Sequence, residues 1–359
     1  MPGVELTVAG LVKRYSPQVT VGPISFEVME GEFFSLLGPS GCGKTTTLRC
    51  IAGFEATSGG AITLNGKLLD HMPPNRRDVG LVFQNYALFP HLTVFDNVAF
   101  GLRLRRLGKP EIEERVVRIL ELVGLPHLAG RYPAQLSGGQ QQRVAIARSV
   151  VLEPRLLLFD EPLSNLDFKL RVQMRYELRE LQRRLGKTSI YVMHDQTEAL
   201  ALSDRIAVLS QGRIEQIGRP VDIYEAPETE FVADFIGNSN IIEAGVQAKT
   251  ASGTIMRAKS GLELIGPVIP EEMGSSVRIL VRPEHIHLAD PRRDETPNRI
   301  MAEIGDLTYL GEDVHLRVTL IGGGELLVSL KSGKATRNLQ LGHSIELAID
   351  PSDLHVLRK

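Results

Sequence analysis

Apolar positions along this chain change their period more than once, and each change predicts a new kind of element. Val4, Leu6 and Val8 alternate with polar neighbours, as do Ile24, Phe26 and Val28, the signature of half-buried strands. Phe33–Leu37 and Leu156–Phe159 are almost wholly apolar, as expected for strands covered on both faces. Between them, Leu48, Ile51 and Ala52 predict a helix. Ala61–Lys67 reads as a hairpin turning at Asn65-Gly66, and Val79–Phe83 as another apolar strand. The period then lengthens. Ile112, Val116, Ile119, Leu120 and Val123 fall on one helical face. A second helix begins near Ser137 and carries Val144, Ile146 and Ala147. Leu170, Met174, Leu178, Leu181 and Leu185 step by four and three, a core-facing helix. Ser189–Met193 and Ile206–Leu209 return to the strand pattern.

Beyond about residue 235 no long helical period remains. Val277–Leu288, Ile300–Ile304, Val314–Leu320, Leu326–Leu330 and Ile345–Ile349 read as short strands punctuated by turns such as Gly322-Gly323-Gly324. The expected division is therefore an α/β domain over residues 1–235, with a helical subdomain at about 88–153, followed by an all-β, OB-like domain over 236–359.

Composition narrows the class. The 359 residues suffice for two domains, and the net charge of −2 argues against a whole-surface attraction to nucleic acid or anionic lipid. Two cysteines, Cys42 and Cys50, are too few for a secreted disulfide framework and point to a reducing compartment. The first residues lack the basic and apolar regions of a signal peptide. No apolar run approaches the roughly 18 residues of a membrane span, so membrane work would require docking on a spanning partner.

The chemistry starts where the Phe33–Leu37 strand ends. Gly38-Pro39-Ser40-Gly41-Cys42-Gly43-Lys44-Thr45 matches G-x-x-x-x-G-K-[ST], with a strand before it and a helix after it. Such a loop turns backbone N–H groups onto phosphate oxygens, with Lys44 as a point charge and the Thr45 hydroxyl for Mg²⁺. Asp160-Glu161 follows the Leu156–Phe159 strand, where a carboxylate faces the ligand crevice. Asp160 is placed to hold Mg²⁺ through water, and Glu161 to act as general base on the attacking water. Together these predict a P-loop NTPase fold that binds a nucleotide with Mg²⁺ through Thr45 and Asp160, a pair of motifs that GTPases, helicases and kinases share.

Leu136-Ser137-Gly138-Gly139-Gln140 resembles the signature of ATP-binding-cassette (ABC) ATPases, and stands shortly before the Asp160 strand as it does there. Ser137 reads as a helix N-cap, and Gly138 and Gly139 let an anion approach the helix end. The resemblance implies a head-to-tail homodimer in which Ser137, Gly138, Gly139, Gln140 and Asp167 contact the ATP held by the partner's phosphate loop. It implies roles for Gln84 as the Q-loop glutamine reaching Mg²⁺, for His194 as the switch histidine on the γ-phosphate, and for Thr46 beside the phosphates. Tyr15 resembles the aromatic that stacks on adenine, although a lone aromatic there is also a common core residue. Met193 stands where a smaller residue is usual.

Phe235-Ile236-Gly237 and Val281-Arg282-Pro283-Glu284-His285 are similar to the C-terminal OB-type (TOBE) domain of importer ATPases. This implies two integral membrane permease subunits as partners, an extracellular or periplasmic solute-binding protein acting indirectly, and a place on the cytoplasmic face of the inner membrane. Phe235–Ala244 is most similar to polyamine-type members, with ferric iron, sulfate-like anions and sugars as alternative solutes. The rival, a soluble ABC protein acting on nucleic acid or ribosomes, would bring coiled-coil insertions, paired cassettes or basic arms. The chain shows none of these, so no nucleic-acid partner is expected. Arg103, Arg105, Arg106 and Lys109 read as a solvated surface. His285 and His287 lack the further ligands of a metal site. Cys42, at a helix N-terminus, is expected to have a lowered pKa.

Overall fold

The computed structural model describes residues 3–163, 167–250, 253–270, 274–290 and 296–357. The chain divides into two compact units, Met1–Pro220 and Val221–Lys359.

In the first unit, β1 (Val4–Arg14) and β2 (Thr20–Met29) form an antiparallel pair, followed by β3 (Phe33–Leu37), α1 (Lys44–Ala52), β4 (Gly59–Leu64), β5 (Lys67–Leu68) and β6 (Val79–Val82). Three helices come next: α2 (Val94–Leu104), α3 (Lys109–Leu122) and α4 (Gly138–Val150). Then β7 (Leu156–Asp160), α5 (Phe168–Leu185), β8 (Thr188–Met193), α6 (Gln196–Leu202), β9 (Arg205–Ser210) and β10 (Arg213–Gly218) complete the unit.

A four-stranded sheet has the order β2-β1-β4-β5, and a six-stranded one the order β10-β9-β3-β8-β7-β6. The five strands from β9 to β6 pair in parallel, and β10 is antiparallel to β9. The half-buried alternation of β1 and β2 and the apolar runs of β3 and β7 meet in one core. There Leu6, Ile24, Leu36, Leu48, Leu158 and Ile190 are fully buried. Phe26 stacks on Phe34 at 5.0 Å between ring centres.

The expected hairpin turn is present. Asn65 and Gly66 both have positive φ, 45° and 74°, the conformation a two-residue turn demands. The α5 stripe also holds, with Met174, Leu178 and Leu181 buried. Helix α2 lies within the expected helical subdomain but was not singled out by its own period. Val94, Val98, Ala99 and Leu102 are buried along it, and Thr93 caps it, its hydroxyl accepting from the Asp96 N–H at 3.1 Å.

In the second unit, helices α7 (Pro220–Glu225) and α8 (Glu230–Ile236) precede two five-stranded antiparallel sheets. One sheet has the order Glu263–Gly266, Gly253–Ala258, Asn240–Thr250, Ser276–Val281, His355–Leu357. The other runs Ile286–Leu288, Ser344–Ile349, Asn298–Tyr309, Asp313–Leu320, Glu325–Lys331. Their inner faces share one core, including Met256, Ile279, Ile300, Val318 and Leu347. This is the β-rich, barrel-like architecture the alternating pattern implied.

Two expectations need correction. Val277–Leu288 is not one strand. Pro283 opens a 3-10 turn over Pro283–His285, and the halves on either side join different sheets. The unit boundary falls at residue 220 and not at 235, because both short helices are bound to the β unit through Arg282. Its guanidinium, 2% exposed, donates to the carbonyls of Tyr224, Ala233 and Asn238 at 2.8–3.2 Å and lies 4.3 Å over the Tyr224 ring.

Candidate nucleotide site

Strand register lines up the candidate residues. Leu37 pairs with Met193, Val192 with Asp160, and Phe159 with Val82. Gly38, His194, Glu161 and Gln84 therefore leave four neighbouring parallel strands at one carboxyl edge, the crevice where open α/β sheets bind ligands.

The loop Gly38–Thr45 wraps the start of α1. Gly43 adopts φ 103°, and a Cβ there would sit 2.6 Å from Val21 Cγ1, so both conformation and space require glycine. A Cβ on Gly38 would meet the Leu209 carbonyl at 2.3 Å. Lys44 is buried and donates to the Gly38 and Pro39 carbonyls at 2.7 and 3.0 Å, and more distantly toward Cys42 Sγ at 3.9 Å. Cys42 is itself buried. Burial pushes its thiol pKa up, outweighing the neighbouring Lys44. The expected lowering by the helix end is thus overturned: loss of solvent costs the thiolate more than Lys44 and the backbone donors return.

Thr45 donates its hydroxyl to Asp160 Oδ1 at 3.2 Å. Burial raises the Asp160 pKa, an effect opposed by the Thr45 hydrogen bond and by Arg49 and Lys44, and reinforced by Glu161. Glu161 stands in the left-handed region, φ 46°, and its N–H donates to the Val192 carbonyl at 3.2 Å. The turned backbone points its carboxylate into a cluster. Glu161 Oε2 lies 3.5 Å from Gln84 Nε2 and 3.4 Å from His194 Nδ1. Two side chains, from the ends of β6 and β8, thus converge on the carboxylate that follows β7. Met193, just before the histidine, is 1% exposed and simply fills the core.

Tyr15 is half-exposed. Its hydroxyl is 3.4 Å from Thr46 Oγ1, and Lys13 Nζ lies 5.1 Å over its ring. It is a surface aromatic beside the start of α1, not a core residue.

Ser137 caps α4 in a full capping box. Its Oγ accepts from the Gln140 N–H at 3.4 Å, and Gln140 Oε1 accepts from the Ser137 N–H at 3.0 Å. Gly139 is packed so closely that a Cβ would meet Met174 Sδ at 2.9 Å. Among the described residues, no hydrogen bond or ion pair joins Ser137–Gln140 to the Gly38–Thr45 loop. Asp167 caps α5, accepting from the Leu170 N–H at 3.0 Å, while Ser164–Leu166 before it lie outside the described residues.

One group of site-supporting residues escaped the sequence reading. Arg175 on α5 donates to Asp195 Oδ2 at 3.1 Å and approaches Glu198 Oε1 at 3.6 Å, and Arg171 approaches both carboxylates. Asp195 caps α6 directly after His194, accepting from the Glu198 N–H at 3.0 Å. The helix that starts at Asp167 is thereby tied to the turn carrying His194. The spacing of Arg171 and Arg175, four apart on one helix face, was the available signal.

Comparison with known proteins gives the family of the chain. Residues 21–164 match the ABC transporter family model, and residues 279–357 match the TOBE domain. The chain is 48% identical to the spermidine/putrescine import ATP-binding protein PotA of Trichodesmium erythraeum, over 88% of this chain and 85% of that one. It is 48% identical to the protein of that name from Thermobifida fusca, over 95% and 90% of the two chains. Against the one from Roseobacter denitrificans it is 47% identical over 96% and 95%. Among solved structures, cbiO1 of Clostridium perfringens, part of the ABC transporter complex cbiONQ, superposes with a TM-score of 0.57. That match has 32% identity and covers 61% of this chain and 90% of that one. The chain therefore belongs to the ABC transporter ATP-binding proteins, an ATPase family, and carries their TOBE domain.

Proposed function

We propose that this chain hydrolyses MgATP as a homodimer to drive import of a polyamine through two membrane permease subunits. The convergence of Gln84 and His194 on the Glu161 carboxylate carries the catalytic part of this reading. Glu161 accepts a proton from water as the water oxygen bonds to the γ-phosphorus and the bond to the β-phosphate oxygen breaks. Gln84 and His194 hold that carboxylate at the strand edge, with the His194 switch position braced from behind by Asp195 and Arg175.

Lys44 has three donors, two of them on loop carbonyls and the third directed weakly at Cys42 sulfur. A phosphate oxygen is the better acceptor and would replace the sulfur. The Thr45 hydroxyl and Asp160 carboxylate, 3.2 Å apart, offer hard oxygen donors that suit Mg²⁺, with Gln84 as the further candidate. When bound, the metal neutralises charge on the phosphates. Tyr15, half-exposed beside Thr46, is the candidate base-stacking surface. Ser137–Gln140 and Asp167 make their local contacts away from this loop, which fits contribution to a partner's nucleotide.

Among the described residues no helix is long and apolar enough to cross a membrane. The exposed pair Phe54 and Phe83, 6.2 Å between ring centres and next to Gln84, offers an apolar surface for the permease subunits at the cytoplasmic face. The names of the three relatives support spermidine or putrescine as solute, delivered by a binding protein outside. The test is reconstitution with the permease subunits in vesicles. Spermidine-loaded binding protein should stimulate ATPase activity and uptake. Stimulation by sulfate, ferric iron or maltose carriers in its place would reject the polyamine assignment.

A further inference from the structure

The segment after Gln84 is held in an unusual way. Tyr86 and Ala87 both adopt left-handed backbone, φ 60° and 48°, a conformation that side-chain-bearing residues keep only when their surroundings impose it. Both carbonyls are claimed by one guanidinium: Arg148 donates to Ala87 O at 2.6 Å and to Tyr86 O at 2.9 Å. Arg148 Cζ also lies 5.6 Å from the ring centre of Phe89. Among the described residues Arg148 forms no ion pair, and burial lowers its pKa. A desolvated cation that spends its fork on two carbonyls is a costly arrangement, so the carbonyls must matter. The other end of the segment is fixed to α2, where Asn97 accepts from the Phe89 N–H at 2.9 Å and donates to its carbonyl at 3.1 Å.

Arg148 sits in the last turn of α4, the helix whose first turn is Ser137–Gly139. Gln84, two residues before Tyr86, touches the Glu161 carboxylate. We propose that Arg148 is a positioning residue that clamps the strained Tyr86–Ala87 backbone to α4, so that the placement of Gln84 against Glu161 follows the placement of the signature helix. Through it, movement of the Ser137 end of α4 is transmitted to the Gln84–Glu161 contact. The kinetic arm of the test rests on the reading of Glu161 as base; the structural arm does not.

The structural arm is amide hydrogen exchange in nucleotide-free protein. Arg148→Gln should speed exchange over residues 84–89 by about 10- to 100-fold, the loss expected for hydrogen bonds from a charged donor, with β7 and α1 unchanged. Arg148→Lys keeps the charge but loses the fork, so its effect should be intermediate, and it serves if the Gln variant does not fold. The kinetic arm is a double-mutant cycle with Gln84→Ala. Arg148→Gln should lower kcat with the KM for ATP little changed, and the double variant should be no slower than Gln84→Ala alone. Unchanged exchange over 84–89, or losses that multiply in the double variant, would overturn the proposal. An inactive wild-type chain would refute the ATPase reading and leave the exchange result to decide the role of Arg148.

Discussion

The Thr45 hydroxyl donates to the Asp160 carboxylate at 3.2 Å, joining the first turn of α1 to the last residue of β7. This bond spans the two nucleotide motifs, and it holds a carboxylate whose burial raises its pKa. The folded chain therefore binds the Asp160 proton more tightly than the unfolded chain. The sign follows: the Asp160 contribution to stability falls as pH rises from below the ordinary carboxylate range through the raised value. Asp160→Asn removes that penalty. It should raise the melting temperature of nucleotide-free protein at neutral pH while abolishing the further rise given by MgATP. Thermal unfolding with and without MgATP checks both, and a lower melting temperature in the nucleotide-free variant would contradict the sign.

Cys42 and Cys50 are buried, and the Cys50 thiol is pushed up to about 11 by burial. Burial also raises the Cys42 thiol. Neither thiolate forms readily at neutral pH. Both should react with an aromatic disulfide reagent at least about 10-fold more slowly in the native chain than in urea. Rapid stoichiometric labelling of native protein would show that the phosphate loop opens far more than its hydrogen bonds indicate.

Arg282 binds three carbonyls and the Ser239 hydroxyl inside the second unit. Arg282→Ala leaves these acceptors unpaired in a buried place and should cost that unit about 2–4 kcal/mol. Urea unfolding followed in both units should show the loss in the second, with nucleotide binding at the phosphate loop retained. Equal destabilisation of the first unit would contradict a role confined to the second.

Much of this site was legible because its chemistry is written in short runs. Gly38–Thr45 needs contiguous residues to fold around phosphate, and Asp160-Glu161 is announced by the apolar strand before it. The barrel-like second unit was readable from period-two alternation. What escaped reading depends on distance. The clamp of Arg148 on Tyr86 and Ala87, and that of Arg175 on Asp195, join positions far apart in sequence with no shared period. The end of the first unit was misplaced because Arg282, late in the chain, recruits Tyr224 and Ala233 to its own side. The Cys42 thiol was misjudged because proximity to a helix end is visible in sequence and burial is not.

The central claim is that Gly38–Thr45 is half of a site completed by Ser137–Gln140 of a second copy. Its most direct test is the mass in solution of the Glu161→Gln protein at saturating MgATP. Removing the base should slow hydrolysis by about 10²–10⁴-fold and preserve bound ATP. The mass should then move from that of the 39.5 kDa chain to that of a dimer. Adding Gly138→Asp, which places a carboxylate where the partner's phosphate would dock, should abolish the dimer and leave ATP binding intact. A Glu161→Gln chain that binds ATP and remains a monomer would contradict the account.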